Sequence, residues 1–178
     1  TAEEREYISA LAASGQKLTA IVEPDRAPYS YFQNGEAKGI MPEIFARIED
    51  LTGISFDIVE AKDRGDYFKR VTGEGHIDVR MDALADYYEA EQTGFKLTNS
   101  YLTTTISKVS GKAAASSEHV ALTENGDLTE LRNSLISGDV PLTYYPTITD
   151  CMNAVKSGRA AATYVYTYSA QQYLDTDA

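Results

Sequence analysis

Between Ile40 and Thr52 the apolar residues Ile40, Ile44, Phe45, Ile48 and Leu51 recur at three- and four-residue steps, while Glu43, Arg47, Glu49 and Asp50 fill the opposite face. That spacing predicts an amphipathic helix, with Pro42 suited to its first turn and Gly53 to its stop. On either side the pattern is that of strands. Lys17 to Val22 is a short β-rich apolar run closed by Glu23-Pro24-Asp25, and in Ile54 to Glu60 the residues Ile54, Phe56 and Ile58 alternate with Ser55 and Asp57. Tyr29 to Phe32 also alternates, and Asn34-Gly35 supplies a hairpin turn after it. Asp66 to Thr72 reads as a short helix stopped by the glycines Gly73 and Gly75, and Ile77 to Leu84 as a third strand running into an acidic, tyrosine-rich loop. The order strand, helix, strand, helix, strand predicts a parallel sheet covered by helices.

Ahead of this block, Ala2 to Ser14 reads as a charged attachment helix with Gly15 as its stop. After it, the β-branched run Tyr101 to Val109 is long enough to cross from one lobe to another, and the small-residue stretch Gly111 to Glu118 suits a boundary. The pattern then repeats in smaller form. Strands are predicted at His119 to Thr123, Pro141 to Tyr145 and Ala160 to Val165, with helices at Leu128 to Ser137, Thr149 to Ser157 and Ser169 to Leu174. The expected division is a leader over 1–16, a first lobe over 17–104 and a second over 105–178, with a hinge strand at about 101–109.

Composition narrows the function. The chain has 178 residues, 43% hydrophobic and 24% charged, which suffices for a real core in one domain or two small lobes. Its formal charge of -11 repels nucleic acid and anionic membrane, so neither is expected as the main partner. The single cysteine, Cys151, allows no internal disulfide and reads as a small core residue of a helix. No apolar run approaches the roughly 18 residues of a membrane-spanning helix.

Chemistry that would mark an enzyme is sparse. His76 and His119 lack metal-ligand spacing to a second His or Cys, and there is no phosphate loop and no Gly-x-Ser-x-Gly elbow. No cofactor or metal is expected.

Thirteen tyrosines and no tryptophan instead suit the recognition of a small solute, since tyrosine offers a rigid face and a hydroxyl at little entropic cost. Loops at the carboxyl ends of strands are where such ligands bind in open α/β sheets. The candidate ligand-binding residues are therefore Asp25, Tyr29 and Tyr31 after the first strand, Asp82, Asp86, Tyr87 and Tyr88 after the third, and Tyr166 at the end of the second-lobe strand. Glu23 and Asp25 either accept from a ligand ammonium or hydroxyl or cap a turn. Asn125-Gly126-Asp127 either caps the helix that follows or holds an anionic ligand group.

In order along the chain, LTAIVEPDRAPYSYFQNGEAKGIMPEIFARIEDLTG, EGHIDVRMDAL, KLTNSYL and DCMNAVKSGRAAATYV resemble the phrases of the family 3 extracellular solute-binding proteins over about residues 17 to 174. The resemblance implies a two-lobe α/β, periplasmic-binding-protein-like fold of type II, each lobe a mostly parallel sheet covered by helices. ADYYEAEQTGFKLTNSYL and the leading TAEEREYISAL are similar to the versions joined to sensor histidine kinases and diguanylate cyclases. They imply an extracytoplasmic sensor domain, tethered to the membrane through its parent chain, that closes on a small polar or aromatic solute. A solute-binding component of an ABC transporter is the alternative, and a dehydratase on the same fold a second one.

Two positions depart from the family pattern. The arginine that holds the ligand carboxylate falls at about Ala90, and the second-lobe aspartate at Tyr166. A small-molecule ligand is thus expected, amino-acid-like but held without the usual arginine, with Arg80 the only nearby cation. No return strand and closing helices follow before Ala178, so the second lobe is expected to be trimmed or abbreviated.

Overall fold

The computed structural model describes residues 1–111, 118–124 and 132–176. The chain divides into two compact units, one of Thr1–Pro24 with Pro28–Asn99 and the other of Asp25–Ala27 with Ser100–Ala178.

Unit 1 begins with helix α1, Ala2–Ser14, closed at its start by a capping box between Thr1 and Glu4 and at its end by Gly15 in the left-handed conformation. No residue of α1 is buried. Strand β1, Lys17–Ile21, lies at the centre of a three-stranded parallel sheet between β4, Ser55–Val59, and β5, Val79–Arg80. Its residues Ala20 and Ile21 are fully buried, as a central parallel strand requires. The hairpin of β2, Tyr31–Gln33, and β3, Glu36–Lys38, turns at Asn34 and Gly35, both with positive φ. Helix α2, Ile40–Thr52, has the predicted span, but it buries Met41, Pro42 and Phe45, and Leu51 is 69% exposed. Phe45 meets Phe56 of β4 edge to face at 4.8 Å, so the helix is turned toward its Met41 and Phe45 side.

Three elements of unit 1 depart from the sequence reading. Helix α3, Arg64–Lys69, starts two residues earlier than expected because Asp63 caps it, accepting from the Asp66 N–H at 2.8 Å. It continues into a π-type turn, Arg70–Glu74. The third strand contributes only Val79–Arg80 to the ladder, and the segment read as a tyrosine-rich loop contains helix α4, Tyr87–Thr93. Gly94 at φ 79 ends α4, and the Phe95 N–H then returns to the Ala90 carbonyl at 2.9 Å. This turn delivers Phe95 to the core cluster of Ile21, Ala61, Tyr67 and Val71.

Unit 2 is built on a four-stranded sheet in the order β6-β9-β7-β8, made of Ile106–Ser110, Ala162–Tyr166, Val120–Thr123 and Leu142–Tyr145. β7 runs parallel to β8 and β9, and β6 runs antiparallel to β9. Of the run Tyr101 to Val109, only the part from Ile106 onward is strand. The described helices are α5, Arg132–Leu135, α6, Ile148–Lys156, and α7, Thr167–Thr176. Asn125-Gly126-Asp127 and the start of the helix expected at Leu128 lie outside the described residues, as does most of the stretch read as a boundary. Cys151 is 1% exposed and packs with Ala121, Ala154, Val155 and Ala160, the core role its helical position predicted.

Candidate functional site

The carboxyl ends of β1 and β5 carry the most concentrated buried polar chemistry of unit 1. The Met81 N–H donates to the Ile21 carbonyl at 3.1 Å, one residue past the paired Val79 and Arg80 of β5. Two residues past the end of β1, the Glu23 N–H donates to Asp82 Oδ2 at 2.7 Å. At the other end of the same ladder, Asp78 Oδ2 accepts the Thr19 N–H at 2.8 Å. Two aspartates four residues apart thus close both ends of a two-residue parallel ladder. This is why the apolar run from Ile77 to Leu84 forms so little strand.

Asp82 is 7% exposed and gathers further donors. Tyr67, fully buried on α3, gives its hydroxyl proton to Asp82 Oδ1 at 2.9 Å and accepts from Arg80 Nε at 2.8 Å. The Arg80 guanidinium also lies over the Tyr67 ring, 5.6 Å from its centre. Burial, and after it the Asp82 charge, push the Tyr67 phenol well above its ordinary pKa, so it stays a proton donor to that carboxylate. Ser30 donates to the Glu23 carbonyl at 2.8 Å. The Glu23 side chain, 1% exposed, is ion-paired with Arg64 of α3.

Arg64 therefore joins Arg80 as a cation near these strand ends, a correction to the expectation that Arg80 stands alone. The signal was present in Asp63-Arg64-Gly65: once Asp63 caps α3, Arg64 falls at the first helical position. Tyr67 and Ser30 were likewise missed, because burial of a tyrosine or serine beside a carboxylate leaves no mark in periodicity.

The other predicted residues of unit 1 differ widely in setting. Tyr29 is buried at 2% exposure, and Tyr31 is half-buried in β2. Tyr29 is held from behind, since its carbonyl and that of Pro28 accept the Met41 and Ile40 N–H groups at 2.9 and 3.0 Å and so cap α2. Asp86 is exposed and accepts the Tyr88 N–H at 2.9 Å as the cap of α4, which leaves Tyr87 and Tyr88 in its first turn at 72% and 73% exposure. Ala90, where the family resemblance places an arginine, is buried at 8% exposure.

Asp25 and Tyr166 belong to unit 2. Asp25 sits at φ 57, a left-handed conformation that non-glycine residues seldom adopt. Its side chain is exposed on its solvent side, yet desolvation is the largest influence on the carboxyl and raises its pKa; a hydrogen bond from the Ile148 N–H of α6 opposes this, and the Asp150 charge adds to it. The neighbouring Arg26, 5% exposed, places its guanidinium 4.7 Å from the centre of the Tyr166 ring, itself 3% exposed. Beside Tyr166, the hydroxyls of Thr105 and Ser107 lie 2.7 and 2.8 Å from that of Thr167. Within its own unit, then, each group of predicted residues is drawn to the end of a strand or the start of a helix. Among the described residues, no group of three His, Cys, Asp or Glu side chains could hold a metal ion.

Solved structures of similar fold accompany this arrangement. Over 98% of its length the chain matches the periplasmic VFT2 domain of BvgS from Bordetella pertussis, with a TM-score of 0.74 and 19% identity, covering 75% of that chain. It matches holo ArgBP from T. maritima over 93% of its length, with a TM-score of 0.69, 19% identity and 75% of that chain covered. A third likeness is to ArtJ, the arginine-, lysine-, histidine-binding protein of Geobacillus stearothermophilus, at a TM-score of 0.73 and 12% identity over 91% of this chain and 72% of that one. The chain has the periplasmic-binding-protein, Venus flytrap fold of the family 3 solute-binding proteins, and at these identities the likeness shows the fold. No family model and no curated protein matches the chain. Among the described residues no helix is long and apolar enough to cross a membrane.

Proposed function

We propose that this chain is an extracytoplasmic domain that binds a small polar or aromatic solute and signals its presence, as the sensor part of a membrane-tethered receptor. The observation that carries the reading is the fold, taken together with its match over nearly the whole chain to the periplasmic BvgS domain. Binding of this kind needs no turnover, and the domain is read as a receptor and not as an enzyme. The ligand shifts the domain between conformations only by the difference in its affinity for them. The solute-binding component of a transporter is the second reading, favoured by the likeness to ArgBP and ArtJ.

The ligand-binding residues are proposed to be Tyr29, Tyr31, Asp82, Asp86, Tyr87 and Tyr88 on unit 1, with Asp25 and Tyr166 on unit 2. Exposed Tyr87 and Tyr88 offer faces and hydroxyls, Asp25 and Asp86 offer carboxylates to a cationic or hydroxylated group, and Asp82 fixes the strand ends that carry the rest. With Ala90 and Tyr166 at the two departures from the family pattern, the ligand's polar groups are held by another set than the arginine and aspartate of amino-acid binders.

A thermal-shift screen of amino acids, amines, carboxylates and small sugars tests this reading. A solute that raises the melting temperature of the wild type, with a smaller rise in Tyr88→Ala, supports it. A screen without any stabilising solute counts against it. The full gene separates the two readings: a membrane helix leading to a kinase or cyclase domain marks the sensor, and a lipid-anchor signal beside a permease gene marks the transporter.

A further inference from the structure

We propose a second binding site on unit 1, for a small oxyanion of the phosphate or carboxylate kind, held by Arg70 and Lys69. A cavity of about 290 Å³ is lined on the strand side by Thr19 and Val59, on the helical side by Asp66, Lys69 and Arg70, and at its rim by His76. None of the residues assigned to the solute lines it. Its volume lies near the lower end of the range of small-ligand sites.

The donors around this space are organised and unspent. Arg70 Nε donates to Asp66 Oδ2 at 3.1 Å, which fixes the guanidinium plane and leaves its two terminal nitrogens. His76 stands at the rim with Nε2 3.2 Å from Asp78 Oδ1 and is not one of these donors. Among the described residues, neither the terminal nitrogens of Arg70 nor Lys69 Nζ has a hydrogen-bond or ion-pair partner.

The one carboxylate in the lining, Asp66, is engaged by the Lys62 N–H at 3.0 Å as well as by Arg70. The Lys62 bond first, and then Arg70, hold its pKa below the usual range. The lining thus sets two permanent cations against one committed carboxylate, in a chain whose formal charge is -11. A local positive cluster on an acidic surface draws small anions and repels cations. Gly75 contributes space, because a Cβ there would come within 3.3 Å of Arg70 Cβ and Cγ and displace the arginine stem.

NMR titration of the chain with sodium phosphate, and separately with citrate, at constant ionic strength held with chloride, tests the site. Saturable shifts centred on Thr19, Lys69, Arg70 and Ile77 are expected with at least one probe. Binding should weaken about tenfold in both Arg70→Gln and Lys69→Gln, the loss of one charge-assisted contact, and stay unchanged in Lys38→Gln on the hairpin. Response to phosphate alone or to citrate alone assigns the oxyanion. Absence of saturable shifts with both probes, or equal affinity in Lys69→Gln and wild type, overturns the proposal. Lys69 is exposed, so its variant keeps the test valid if Arg70→Gln fails to fold. Because these residues are separate from those assigned to the solute, either proposal can fail without the other.

Discussion

Asp82 Oδ2 accepts the backbone N–H of Glu23 at 2.7 Å, just beyond the two-residue pairing of β5 with β1. One side chain thereby ends the β1–β5 ladder and, through its other oxygen, anchors Tyr67 of α3. Asp82→Ala leaves the Glu23 N–H and the Tyr67 hydroxyl without that acceptor in a buried setting. It should cost about 2 to 4 kcal/mol of stability in chemical denaturation, and Asp82→Asn less, since the amide retains one acceptor oxygen. A loss below about 0.5 kcal/mol in Asp82→Ala would show the network to be dispensable.

Gly39 is where the hairpin, the cap of α2 and the Tyr29 segment converge. Its φ is 110, and a Cβ there would lie 2.6 Å from the Pro28 carbonyl oxygen and 2.7 Å from that of Tyr29, the two acceptors that cap the helix. Gly39→Ala should therefore destabilise by at least about 2 kcal/mol and disturb the segment bearing Tyr29. Gly35 also has positive φ but nothing within 4 Å, so Gly35→Ala should cost only the backbone strain, about 1 kcal/mol. Equal melting temperatures in the two variants would refute the difference.

Asp25 should set a pH dependence of known sign. Its folded-state pKa lies above the ordinary value of 3.8, so ionisation is harder in the fold than in the unfolded chain. The stability it contributes is then complete below pH 3.8 and is lost as the pH rises through the folded-state value. Asp25→Asn keeps a residue that tolerates the left-handed conformation and removes the charge. It should raise the melting temperature at pH 7, with the gain vanishing below pH 3.8. A variant less stable than wild type at pH 7 would mean that the Ile148 bond outweighs the desolvation.

Much of the fold was legible because its signals are local. The stripe from Ile40 to Leu51 and the stop at Gly53 set the span of α2, and the alternation of Ile54, Phe56 and Ile58 marked β4. The short third strand was not legible, because what ends it is the long-range capture of the Glu23 N–H by Asp82, 59 residues away. Helix α4 was hidden by two consecutive tyrosines that favour strands, and Asp86 as its cap decided otherwise. Asp82 and Glu23 could be named as candidates, but their partners Tyr67 and Arg64 come from a different element. Only the packing of α3 against the sheet brings them together.

Titration calorimetry of the best stabilising solute against the wild type, Tyr88→Ala and Asp86→Ala is the most direct test of solute recognition at these strand ends. Saturable one-to-one binding, weakened about tenfold or more by each substitution, is the predicted result. Undiminished affinity in both variants, or no binding of any small solute to the folded chain, would contradict it.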